Sequence, residues 1–404
     1  MAHILDKSYF IVLGASSDQK ESILVANELG FRTLVFDKNK SADCKKYAYK
    51  FFNVSTVNFS LIKKKIDKYK KKIAGVITQG SDIPFTVSKI EKYLKIYGRT
   101  PLNSSLICSN KLLMKNFFTQ NKIPTAKKFI NIHQIKKSDF PVVVKPIDMS
   151  GSKGVYFCRN FDEISFFSKI SKKKSKKKKI IIEKFLHGPQ LSTESLIINK
   201  NVYTFGYAER NYNDTKEFYP NILENGGTQI AKKYFSYKNK VDFYIKKIAK
   251  KLKIDNGVIK SDLVINDNRI SFIEIATRLS GGDFSATLIP KSTGVNFIKC
   301  AVKNAAGLKV FKNELIGPKN INKNYYANRY FFSVNKKNIK KIYVPKFLKN
   351  VKWIHKLEFN TNRLIKKTQS HKDRYGVFIV SAKNLNQLTK RINFVYNNIK
   401  ILYE

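Results

Sequence analysis

Acidic side chains are scarce in this chain: 29 Asp and Glu stand against 78 Lys and Arg, a net charge of +49 over 404 residues. A carboxylate inside an apolar stretch is therefore conspicuous. The four cysteines form no CxxC and the five histidines offer no zinc spacing, which excludes a structural zinc site and fits a reducing compartment. No apolar run approaches the roughly 18 residues a membrane helix requires, and the early strand YFIVLG follows no signal-peptide pattern. A soluble, cytoplasmic protein is expected. Walker loops are missing, and GASSDQ after the first strand holds one glycine where a dinucleotide fingerprint holds three. The lone tryptophan, Trp353, and the Phe and Tyr around it sit in no RNA-binding module and read as core. The basic excess is nearly all lysine, with ten arginines, spread along the chain among much Asn and Ile. A/T-rich codons explain that pattern, so a nucleic-acid partner is not required. The densest run, Ser171–Lys179, is expected to be a solvated loop.

What is present is an alternation of strands and helices. YFIVL, a helix-like stretch to Gly30 and FRTLVFD make a βαβ unit. A basic amphipathic stretch near Phe59–Lys72, the strand IAGVIT and a helix from QGSDIP to about Tyr97-Gly98 complete a parallel α/β domain over residues 1–100. A single helical stretch follows Pro101, and residues 204–229 read as polar and irregular. The last hundred residues carry strand-like runs and one helix, a smaller α+β region. Within the polar stretch, Tyr207, Glu209, Arg210 and Glu224 are candidates to line a second-substrate site.

Two segments carry chemistry. In ISFIEIATRLSGG (Ile270–Gly282), Glu274 interrupts a strand pattern that runs into Arg278 and a Gly281-Gly282 turn. An isolated buried carboxylate is costly, so it needs a cationic partner. Asp262 lies twelve residues upstream in GVIKSDLVI, and the intervening NDNR is rich in hairpin residues. The two carboxylates then reach one end of a hairpin, an arrangement suited to Mg²⁺. A surface hairpin with stray charges is the plain alternative. In PVVVKPIDMSGSKGVYF (Pro141–Phe157), a strand bearing Lys145 enters a loop with Gly151, Lys153 and Gly154. Its amides and lysines can take phosphate oxygens; a simple turn is the alternative. Further on, Glu183 ends the apolar strand IIIEK beside a candidate adenine pocket.

In this order, Lys145, DMSGSKGV, IIIEKFLHG, Asp262 and EIATRLSGG resemble the ATP-grasp superfamily of carboxylate–amine ligases, near the biotin carboxylase and L-amino-acid ligase branch. The resemblance implies an α/β protein: the N-terminal parallel domain, a two-lobed α+β ATP-grasp domain over 101–310 with its nucleotide lobe at about 125–200, and a C-terminal α+β region over 311–404. It implies ATP and Mg²⁺, with Mn²⁺ acceptable. Lys111 and Lys145 would bind phosphate; Ser150, Gly151, Ser152, Lys153 and Gly154 would cover the β- and γ-phosphates. Glu183, Lys184, Phe185 and Leu186 would meet the adenine and Gln190 the ribose, while Asp262 and Glu274 would hold metal. Asn110 and Ala276 depart from the Asp and Asn many relatives carry there. Lys153 and Arg278 would be catalytic, Arg278 otherwise being a salt-bridge partner of Glu274 or Asp262. The implied reaction is ADP-forming amide synthesis from a small carboxylate and an amine through an acyl phosphate, with no membrane or nucleic-acid partner and a homodimer allowed. A bicarbonate-using carboxylase shares every nucleotide motif. A non-catalytic shell that binds nucleic acid is the other alternative.

Overall fold

The computed structural model describes residues 8–96, 100–318, 324–333, 339–359 and 367–403. Strands β1 (Tyr9–Leu13), β2 (Arg32–Asp37), β3 (Lys50–Asn53) and β4 (Ile73–Thr78) form a parallel sheet in the order β3-β2-β1-β4. Their unbroken apolar runs are covered on both faces, as parallel strands require. Helices Phe59–Ile66 and Pro84–Leu94 contribute Ile62, Ile66, Ile90 and Leu94 to one cover. On the opposite face lie Ile23 and Val25 of helix Lys20–Glu28, with Phe297, Ile298 and Ala301 of helix Phe297–Ala305. The latter helix approaches β4 so closely that a Cβ at Gly75 would stand 2.3 Å from the Ala305 carbonyl oxygen. The helix placed to about Tyr97-Gly98 ends at Leu94; residues 97–99 lie outside the described residues.

A second sheet holds β5 (Lys128–Phe129), β6 (Val142–Pro146), β7 (Tyr156–Cys158) and β8 (Ile180–Lys184) in the order β5-β8-β6-β7. The helical stretch after Pro101 is divided at Asn110, whose side chain accepts from the amides of Leu112 and Leu113 and so caps a new helix, Lys111–Gln120. Helix Phe161–Lys174 takes in the first half of the lysine-rich run, leaving only its second half as the expected loop.

The third sheet is antiparallel and spans the molecule. It contains β9 (Gln190–Ile198), β10 (Asn201–Arg210), β11 (Gly227–Gln229), β12 (Gly257–Asn266), β13 (Arg269–Ala276) and β14 (Tyr325–Phe331). After β15 (Ile339–Tyr343), it is completed by β16 (Ile354–Phe359) and β17 (Gly376–Ala382); β18 (Lys400–Tyr403) pairs only with β15. The order is β13-β12-β9-β10-β11-β14-β17-β16. One sequence reading is corrected here. Residues 204–210, read as irregular, belong to β10, and Gly227–Gln229 at the end of the same stretch form β11; pairing of β10 with β9 and β11 holds these polar residues in the sheet. The C-terminal strands β14, β17 and β16 do not stand apart: they extend the sheet that carries the two carboxylates. Among the described residues no helix is long and apolar enough to cross a membrane, and all four cysteines are buried thiols.

One half-buried histidine titrates unusually. His355 bonds Ser381 Oγ at 2.8 Å, and burial, aided by Lys291, pushes its imidazole down to about 4. An unfolded chain takes up that proton near 6.5, so stability should be complete above 6.5 and fall as pH drops from about 6.5 toward 4. Urea midpoints across that range should show a flatter profile for His355→Gln than for the native chain. Parallel profiles would remove the assignment.

Candidate active site

A cleft of about 1450 Å³ runs between the two antiparallel sheets and opens onto the parallel one. One wall is the β12/β13 hairpin. Asn266 pairs with Arg269, and Asp267 and Asn268 both have positive φ, the turn geometry that matches the twist of antiparallel strands. Asp262 and Glu274 are thereby direct cross-strand partners, next to a bulge at Ile273 that re-aims the chain. Lys260, two residues before Asp262 on the same strand face, is ion-paired to it, and Ser192 donates to its other oxygen. Glu274 lies 3.5 Å from Lys111 Nζ. Among the described residues no group of three or more His, Cys, Asp or Glu could hold a metal. Two carboxylates do fit Mg²⁺, which completes its shell with phosphate and water.

The opposite wall is built on a buried lysine pair. Lys145 on β6 is opposite Ile181 and Glu183 on β8 is opposite Val143, so the two project as diagonal neighbours on one sheet face. Lys145 Nζ sits 2.6 Å from Glu183 Oε2, and Lys115 Nζ is 3.5 Å from Oε1. Burial raises the Glu183 carboxyl, but Lys115 and Lys145 outweigh it and hold it below the usual carboxylate range. Burial, opposed by Glu183, brings the Lys115 ammonium down to about 8. Lys115 escaped the sequence reading, although it follows Lys111 by one helical turn and so shares its face. Lys111 itself donates to the Met149 carbonyl at 2.6 Å and steadies the start of the glycine loop.

Ser150, Gly151 and Ser152 line the cleft, as do Glu183, Lys184, Phe185, Leu186 and Gln190. Lys184 and Phe185 use their amides on the carbonyl oxygens of Lys127 and Pro141. Two loop residues are placed differently from the reading. Lys153 is exposed and is no part of the cleft wall, because Gly151 and Ser152, both at positive φ, turn the chain before it. Gly154 is buried instead against Pro146 and Lys174, where a Cβ would come within 3.0–3.2 Å of their side chains.

Arg278 is paired with neither Glu274 nor Asp262. Its Nε donates to Asp82 Oδ1 at 2.7 Å and its Nη1 to the Leu279 carbonyl at 3.2 Å. Burial raises Asp82, yet the Arg278 guanidinium pulls it down to about 2. The Gly281-Gly282 turn beyond is fixed from both sides. Asp18 accepts from the Gly282 amide at 2.8 Å, and Glu194 accepts from Ser280 N and Ser285 Oγ. Of the four second-substrate candidates, Arg210 and Glu224 line the cleft, 3.7 Å apart. Tyr207 and Glu209 point to the other face of β10, where both engage Tyr234; alternation along a strand makes this division unavoidable. Arg374 and His371, from the turn before β17, also reach the cleft; they lie in the SHKDRYG stretch, which resembles the final segment of ATP-grasp relatives, but the sequence reading assigned them no role.

Residues 108–282 match the family model for an ATP-grasp domain. A D-alanine--D-alanine ligase from Fusobacterium nucleatum subsp. nucleatum is 27% identical over 220 residues, half of this chain and 68% of that enzyme. Among solved structures, the L-amino acid ligase from Bacillus licheniformis superposes with a TM-score of 0.79 at 18% identity, covering 98% of this chain and 99% of that one. The phosphoribosylglycinamide synthetase from Anaerococcus prevotii gives 0.74 at 20% identity, covering 99% and 100%. At those identities the two structures establish the fold. Residues 108–282 therefore carry an ATP-grasp domain, and the chain as a whole has the fold of ATP-grasp ligase structures. It is an enzyme of the carboxylate–amine ligase kind.

Proposed function

We propose that the chain is a Mg²⁺-dependent, ADP-forming ligase that activates a small carboxylate as an acyl phosphate and joins it to an amine. The observation that supports it most is the convergence on one cleft of the Lys111–Lys145–Glu183 wall, the Asp262/Glu274 pair and Arg278. Lys111 and Lys145 would neutralise phosphate oxygens, Glu183 orienting Lys145. Lys184 and Phe185 have their amides engaged, so an N–H donated to the base edge would come from Leu186. The metal, held by Asp262 and Glu274, would supply charge neutralisation to the transferring phosphoryl group. Arg278, fixed edge-on by Asp82, would present a planar guanidinium to the acyl phosphate and the oxyanion that follows. Asp82 was not foreseen; its part is to hold Arg278 in place. The γ-phosphate chemistry rests on these groups rather than on Lys153.

The test is phosphate release from ATP against a panel of amino acids and small carboxylates, with mass detection of products. ADP, phosphate and an amide are expected from at least one pair. AMP and pyrophosphate would mean adenylation, and bicarbonate-stimulated hydrolysis without any amine would favour carboxylase chemistry; either overturns the reading.

A further inference from the structure

Among the described residues, the glycine loop is hydrogen-bonded to the C-terminal part of the chain at His371. The His371 amide donates to the Gly151 carbonyl at 3.0 Å, and His371 Nε2 lies 3.2 Å from Ser152 Oγ. The same nitrogen accepts from the Glu224 amide at 3.4 Å. Burial, together with the charges of Arg374, Arg210 and Lys260, keeps this imidazole well below its ordinary value and hence neutral, so Nε2 offers one lone pair, shared between the Glu224 amide and the nearer Ser152 hydroxyl, which donates to it. Among the described residues, the bonds from Gly151 and Ser152 to anything beyond their own loop all go to His371; within it, Val155 N–H donates to the Ser152 carbonyl at 3.2 Å.

The segment carrying His371 is firmly held. Asp373 Oδ2 accepts from the Ser370 amide at 2.8 Å and its hydroxyl at 2.9 Å. Arg374 donates to the Glu224 carbonyl and lies 3.7 Å over the Tyr330 ring on β14. A loop with two consecutive positive-φ residues at its tip is thus fastened to a rigid turn of the central sheet.

We propose that His371 is a positioning residue that holds the glycine loop closed over the nucleotide, which makes the Ser370–Arg374 turn a working part of the active site. The proposal rests on the ligase reading in one respect: an acyl phosphate must be kept from water until the amine arrives. If the latch opens, water attacks the acyl phosphate, regenerating the carboxylate and releasing inorganic phosphate, and ATP is consumed without product.

The experiment compares the native chain with His371→Ala, His371→Gln and Ser152→Ala. It measures ADP formed per amide formed and, separately, hydrogen exchange of residues 147–155 in the presence of ADP and Mg²⁺. In the native chain the ratio should be close to one. His371→Ala should lower amide synthesis about tenfold, the scale of a lost hydrogen bond, raise the ratio severalfold and speed loop exchange. The Gln variant, whose side-chain oxygen can accept in place of Nε2, should restore most of both. Ser152→Ala should uncouple in the same way and add little to His371→Ala. An unchanged ratio and unchanged loop exchange in a folded His371→Ala overturn the latch, as does parallel loss of both activities without faster loop exchange. Should the native chain make no amide with any pair, the ligase reading fails while loop exchange still decides the latch.

Discussion

Glu274→Ala should lower ATP turnover by at least about 10³-fold, since a metal-held phosphoryl group loses several kcal/mol of charge stabilisation with its ligand. Folding should survive. The side chain is 35% exposed and its ion-pair partner is Lys111 at 3.5 Å, so unfolding free energy should change by about 1 kcal/mol or less, the scale of a partly exposed ion pair. Turnover, Mn²⁺ titration and urea unfolding on the same preparation separate the two effects. Undiminished turnover in a folded variant would remove Glu274 from the metal site.

The opposite balance is expected at Glu183. Lys115 and Lys145 are 2% and 6% exposed, and Glu183 is the carboxylate between them. Glu183→Gln leaves two buried ammonium groups without a counter-charge, and breaking a buried pair from one side costs about 3–5 kcal/mol. Lys115 gives the effect a pH signature. Its ammonium already sits at about 8 instead of 10.5, and without Glu183 it falls further. The variant's folded state then sheds its proton before the native one does. Stability rises with pH wherever the unfolded chain holds more protons, so the deficit should narrow as pH climbs toward about 8. Denaturant unfolding at stepped pH reads this directly. A pH-independent loss below about 1 kcal/mol would show that the lysines find other partners.

The sequence by itself determined the parts whose physics is local. Unbroken apolar runs specified β1, β2 and β4, and a two-residue turn of Asp267 and Asn268 specified the hairpin that sets Asp262 beside Glu274. Period-two alternation gives Lys260 with Asp262, and the helical repeat gives Lys115 with Lys111; both signals were present, and both residues went unread. Tertiary structure alone decided what depends on chain segments far apart. Arg278 meets Asp82 across 196 residues, Lys145 shares Glu183 with Lys115 from a separate helix, and His371 reaches Ser152 across 219 residues. Periodicity fixes which face a side chain occupies but carries no information about which distant element will cover that face. Here the cover came from the packing of three sheets around one cleft, and with it came the partners that set the charge of each group.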